Sequence, residues 1–129
     1  MVKYPKMREE LLETLRSLAD REYQHKVWLE RDYPPEIKYD CFDEVVHFLY
    51  DDTVLAENPY LAIGAIIEDE KEARLMSAVC QAIDLVFEAL GTGVSDEEYI
   101  KSCEWTKVVE AALRALQAME IQSQQAVKI

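Results

Sequence analysis

Apolar residues recur along this chain at steps of three and four. Met7, Leu11, Leu15 and Leu18, with Leu12 beside them, trace the stripe of a helix that buries one face. Pro5 can open that helix, because the N–H it lacks would be unpaired in a first turn anyway. Glu9 and Glu10 are expected in its first turn, where the helix dipole favours negative charge. Asp20 either interrupts the helix and caps a second one or lies within a continuous pattern; Tyr23, Val27 and Trp28 carry the apolar face onward. Pro34-Pro35 stops it, since proline excludes the α conformation from the residue before it. Tyr33 to Tyr39 reads as an extended connection.

The pattern then restarts. Asp40 is the expected N-cap of a third helix, with Asp43 and Glu44 in its first turn and Phe42, Val45, Val46 and Leu49 on its buried face. That helix should end near Asp51-Asp52-Thr53. Asn58-Pro59 is another start signal. The run Leu61, Ala62, Ile63, Ala65, Ile66, Ile67 is apolar nearly all round and predicts deep burial, with Gly64 allowing close packing. Ala73, Met76, Val79, Cys80, Ile83, Phe87 and Leu90 keep a steady helical spacing up to Gly91, a terminating glycine, and this element is expected to be central. Ser95-Asp96-Glu97-Glu98 is a capping box for a short helix. Ser102 can cap the last one, whose buried face is Trp105, Val108, Val109, Ala112, Leu113, Leu116 and Met119. The periodicity is lost beyond Glu120. The expectation is an all-α fold: an irregular antiparallel bundle of about four longer and two short helices, one domain over residues 1–120, with residues 121–129 a mobile C-terminal tail.

Composition supports that reading. Only 3 glycines and 4 prolines punctuate 129 residues, few for a chain of β-turns. Charge changes the picture more: 26 Asp+Glu against 14 Lys+Arg give a net charge of -12. That field repels nucleic acid and anionic membrane surfaces and attracts a basic protein. The three cysteines, Cys41, Cys80 and Cys103, have the spacing of neither a disulfide framework nor a zinc knuckle. Cys80 and Cys103 read as small core fillers. No signal segment is visible and no apolar run approaches the roughly 20 residues that span a bilayer, so a cytoplasmic location is expected.

Candidate chemistry is thin. Asp43, His47 and Asp51 share a helix face, with Glu44 three residues before His47, and such ligands suit a transition metal. A di-iron bundle needs two Glu-x-x-His pairs and two further glutamates, and the chain has one pair. Gly91-Thr92-Gly93 lacks the length and the lysine of a phosphate cradle. No activated Ser or Cys is in prospect. The expectation is therefore no enzyme, no cofactor and no metal. The acids are more informative as a set. Asp40, Asp43, Glu44, Asp51, Asp52 and Glu57 fall close together, followed by Glu68, Asp69, Glu70 and Glu72, with His47 and the tyrosines Tyr39, Tyr50 and Tyr60 among them. Carboxylates steer a basic partner and tyrosine is frequent at hot spots, so these residues are the candidate partner-binding set. The alternative is that the tyrosines finish the core and the acids coat it.

The block Phe42-Asp43-Glu44-Val45-Val46-His47-Phe48-Leu49-Tyr50-Asp51-Asp52-Thr53-Val54-Leu55, the run from Asn58-Pro59 to Ile63-Gly64, and Ser95-Asp96-Glu97-Glu98-Tyr99 together resemble a family of small acidic bacterial proteins of uncharacterised activity. Some of these are encoded beside polymorphic or contact-dependent toxins and described as immunity proteins. The resemblance covers most of residues 10–119 and carries no catalytic motif. It implies a role of binding and neutralising a cognate toxin inside the producing cell. A nuclease toxin would offer a basic groove that an acidic inhibitor could occupy. The competing readings are a housekeeping or regulatory protein-binding module, and a metal-binding protein centred on His47.

Overall fold

The computed structural model describes residues 2–33, 35 and 40–127, with side chains through residue 122; Tyr39 lies outside them. Among the described residues six α-helices form the architecture: α1 (Pro5–Ala19), α2 (Arg21–Tyr23), α3 (Phe42–Val46), α4 (Glu70–Leu90), α5 (Asp96–Lys101) and α6 (Trp105–Val127). The one β feature in the same residues is an isolated bridge between Ile63 and Ile67. The fold is all-α.

α1 buries Leu11, Leu15 and Leu18, as its stripe requires, but it starts at Pro5 and its first turn holds no acid, so Glu9 and Glu10 fall beyond that turn. It stops at Asp20, whose backbone is extended and whose carboxylate accepts the Tyr23 N–H at 3.1 Å, so Asp20 interrupts and caps. α2 then widens into a π-helical segment, Gln24–Leu29. The break leaves carbonyls at the end of α1 in need of donors. Gln24, fully buried, donates its side-chain amide to the carbonyls of Ser17 and Leu18, both at 2.9 Å, and accepts the Trp105 indole N–H at 2.9 Å. One side chain thus joins α1, α2 and the start of α6. Replacing Gln24 with Leu keeps the volume but strands three buried polar groups. We expect a loss of about 2–3 kcal/mol, read from the thermal midpoint of the circular dichroism signal.

α3 also widens, into the π-helical segment His47–Asp52. The wider turn buries the adjacent Phe48 and Leu49 together, where the sequence spacing assigned only Leu49. The Thr53 hydroxyl closes it, donating toward the carbonyls of Phe48 and Leu49. Asp40 does not cap α3. The cap position is Cys41, whose side chain does not cap the helix, and the Phe42 N–H donates instead to Asp96 of α5 at 3.1 Å. Asp40 accepts from the Tyr23 hydroxyl at 2.7 Å and the Trp28 indole at 3.1 Å, two donors at the edge of an aromatic core that would otherwise be unpaired.

The segment after α3 departs furthest from expectation. Asn58 accepts the Tyr60 N–H, but the chain then makes a single 3-10 turn, Pro59–Ala62, in place of a longer helix. Pro59, Ala62, Ile66 and Ile67 point inward, while Leu61 is 64% exposed. Gly64 has φ +88°, and a Cβ there would meet nothing within 4 Å, so the glycine serves the left-handed backbone and not close packing.

α4 is capped by Asp69, which accepts the Glu72 N–H at 3.0 Å, and ends at Gly91 with φ +80°. Its buried face includes Val86, with Phe87 and Leu90 only half-buried. Ser95 caps α5 by accepting the Glu98 N–H. Ser102 ends α5 instead of opening α6: its hydroxyl donates to the Tyr99 carbonyl at 2.7 Å. α6 packs along both α1 and α4 and takes the central place the periodicity gave to α4. Gln24 meets Trp105 at one end of α6, while Asp69 meets Gln122 near the other, so α6 runs antiparallel to both neighbours. Leu113 is exposed, not buried, and so is Cys103. The helix continues beyond Glu120 to Val127, so the tail expected from residue 121 is helical over residues 121–127.

The core is joined by aromatic rings. The Phe42 ring lies 5.1 Å from both Tyr99 and Trp105, 5.7 Å from Phe87 and 6.0 Å from Trp28. That ring docks the start of α3 into the core, and the outer face of the helix is left to solvent.

Candidate functional site

Because Phe42, Val45, Phe48 and Leu49 face inward, α3 and its π-helical extension turn Asp43, Glu44, His47, Asp51 and Asp52 outward. His47 Nδ1 lies 2.8 Å from Asp51, with both side chains about two-thirds exposed. Among the described residues no ion pair reaches Asp43, Glu44, Asp52 or Glu57. The result is an acidic ridge with little internal neutralisation.

At its N-terminal end the ridge meets a cleft of about 400 Å³ between the first π-helical segment, α3 and α5. Trp28, Tyr33, Asp40, Asp43, Asp96 and Glu97 line it, together with Arg31, whose φ of +59° places it in the left-handed region. Asp96 is half-buried in this cleft. Burial raises its pKa above the usual carboxylate range, Asp43 and Asp40 push the same way, and the Phe42 N–H opposes them. Glu97 is held below its ordinary value by the Lys101 ammonium 2.7 Å away.

The Asp96 shift has a testable sign. A carboxylate whose folded pKa exceeds its unfolded one costs stability when ionised, and the cost vanishes once both states are protonated. Asp96→Asn keeps an acceptor for the Phe42 N–H and removes the charge. It should raise the melting midpoint at neutral pH, with a gain that shrinks as pH falls through the carboxylate range. A gain independent of pH would contradict the assignment.

At the other end the chain turns back on the ridge: the Ala56 N–H donates to the Leu49 carbonyl at 3.0 Å. Glu57 and Tyr60 are exposed there.

Four members of that set do other work. Glu72 is 1% exposed and cannot meet a partner. It takes both Arg8 guanidinium nitrogens at 2.8 Å and the Glu68 N–H at 2.7 Å. Asp69 caps α4 and accepts from Gln122 at 2.7 Å; the Glu72 N–H, then Gln122, hold its pKa below the usual range. Asp40 is half-buried beneath Tyr23 and Trp28, and it borders the cleft with one carboxylate oxygen, Oδ2, already engaged by both of them. Tyr50 is half-buried, donating to Asp84 at 2.5 Å; burial, then that bond, raises its phenol pKa. Glu68 is half-buried and Glu70 exposed. Glu70 lies about 21 Å along α4 from Asp84, at 1.5 Å per residue.

The sequence reading missed Arg31, Tyr33, Asp96 and Glu97 as neighbours of the acidic block. Asp96 and Glu97 carried the signal of a helix first turn, which explains them locally and conceals that α5 packs beside α3.

Among the described residues no three His, Cys, Asp or Glu side chains are grouped to hold a metal ion, and His47 has Asp51 beside it. Among them, too, no helix is long and apolar enough to cross a membrane. A family model for a domain of unknown function, DUF7945, matches residues 2–127. The chain belongs to the DUF7945 family. No curated protein and no solved structure matches it. The DUF7945 match spans α1 to α6, so the family unit is the whole bundle, ridge and cleft included.

Proposed function

We propose that this domain acts by binding a protein partner with a basic surface, in the manner of an immunity-type inhibitor of a cognate toxin, and not by catalysing a reaction. The observation that carries this is the ridge: Asp43, Glu44, Asp51 and Asp52 are exposed on one helix whose inner face is locked into the core. Rigid like charges gain little from one another. They are relieved by an opposite charge arriving from outside, which speeds association and fixes register. The net charge of -12 adds a long-range field of the same sign. The cleft beside Asp43 is lined by the carboxylates of Asp43, Asp96 and Glu97, surroundings that suit an arginine or lysine side chain. A nuclease toxin fits this chemistry, since a groove built for phosphates would accept the acids in their place.

Affinity capture from the native cell, with the domain as bait and elution by salt, tests the reading. We expect one basic protein at roughly equal stoichiometry that arrests growth when expressed alone and is silenced by co-expression of the domain. A basic partner without toxicity would leave a regulatory binding module. Capture of nothing, or of a partner indifferent to salt, would contradict the proposal.

A further inference from the structure

We infer that the outward apolar residues of the segment after α3, Val54, Tyr60, Leu61 and Ile63, are the contact centre of this surface, and that they receive an apolar side chain of the partner ringed by lysine or arginine. The inference rests on the partner-binding reading above and adds where the partner's apolar contact falls.

The segment Thr53–Ile67 sends some of its apolar side chains inward and others outward. Leu55, Ala62, Ile66 and Ile67 are buried, while Leu61 is 64% exposed, Tyr60 45%, Val54 37% and Ile63 36%. Four large apolar side chains within ten residues facing water is a costly arrangement for a domain that has core to spare, and such clusters commonly mark interaction sites. The backbone that follows them, residues 64–67, is tied down. The N–H groups of Lys3 and Tyr4 donate to the carbonyls of Gly64 and Ala65 at 2.8 and 2.9 Å, and the Arg8 guanidinium donates to the Ile66 carbonyl at 3.1 Å. Gly64 and Ile67 close a tight turn by a 2.7 Å bond. A patch held in place this way loses little conformational freedom on binding.

Charge selects the occupant. Asp51 and Asp52 stand just ahead of Val54, and Glu57 lies between Val54 and Tyr60, all three exposed. The apolar residues are thus flanked by carboxylates. A second copy of this chain would bring the same acids against them, and an anionic lipid surface would be repelled likewise. A protein whose apolar contact is bordered by bases meets both the patch and its rim.

The test is selection of a random displayed-peptide library on the folded domain, followed by anisotropy titrations of the selected synthetic peptides. We expect peptides with a large apolar residue beside lysines or arginines. Their affinity should fall at least about tenfold on Leu61→Asp and also on Asp51→Lys/Asp52→Lys, with the helical circular dichroism signal of both variants unchanged. Leu61→Ser, which removes bulk without adding charge, should lose affinity as well. Peptides that discriminate the double lysine variant but not either Leu61 variant would overturn this inference and leave the partner-binding reading standing. Peptides without bases, indifferent to every variant, would overturn both. A dimer of the domain that Leu61→Asp dissolves, or co-sedimentation with zwitterionic lipid vesicles, would overturn it in favour of self-association or a membrane.

Discussion

Glu72→Ala is expected to cost about 3–5 kcal/mol, the largest loss we predict for a polar side chain in this protein. Arg8 is 7% exposed and Glu72 1%, and they meet through two bonds of 2.8 Å. Removing the carboxylate takes both 2.8 Å bonds from a buried guanidinium, and the Ile66 carbonyl, being uncharged, does not replace them. The Glu68 N–H loses its acceptor as well. The mutual attraction is visible in Arg8 itself, whose pKa is raised, first by its hydrogen bond to Glu72 and against the opposing effect of burial. Arg8→Met/Glu72→Leu, by contrast, should recover a large part of the loss, because a buried ion pair replaced whole by apolar groups is often near neutral. Urea unfolding of the wild type and both variants measures this. A single-variant loss under about 1 kcal/mol would mean that the pair is hydrated and contributes like a surface contact.

Phe42→Ala is the second large effect, again about 3–5 kcal/mol. The ring touches Trp28, Phe87, Tyr99 and Trp105, so its removal opens a cavity shared by several helices that cannot all close over it. The near-ultraviolet dichroism should change with stability, because both tryptophans border the cavity. Phe42→Leu should cost roughly half as much, since most of the volume is kept. The loss has a functional corollary. α3 carries the ridge, and its loosening should weaken partner binding even though Phe42 touches no partner. Full affinity in Phe42→Ala would show that the ridge is positioned by other contacts.

These two positions also show what could be read from the chain alone. Phe42 was legible as a core residue because it stands on a helical apolar stripe, as Leu11, Leu15, Met76 and Val108 do. Arg8 and Glu72 were not, because nothing in the spacing of two charges 64 positions apart says that they meet. Glu72 looked like one more acid in an acidic run, and the fold buries it. Gln24 was silent for the same reason: its role depends on the break at Asp20 and on a tryptophan at the far end of the chain. Asp40 had the right neighbours for a helix cap, yet two aromatic donors claimed it and Asp96 of α5 took the Phe42 N–H instead. The segment of residues 61–67 misled through composition. A run that is apolar on every side reads as buried, whereas a 3-10 turn and a left-handed glycine send some residues inward and others outward. The exposed acids of α3 were placed correctly because a helix with one apolar face has only one other face to offer.

We propose that the α3 ridge recruits a basic partner by charge. The most direct measurement is the association rate of the captured partner with the wild-type domain and with Asp43→Lys/Glu44→Lys/Asp51→Lys/Asp52→Lys, across ionic strength. We expect the wild-type rate to fall steeply as salt is added, and the variant to associate at least about tenfold more slowly with little salt dependence. Equal rates for the two proteins, with equal response to salt, would place the partner on another face and contradict it.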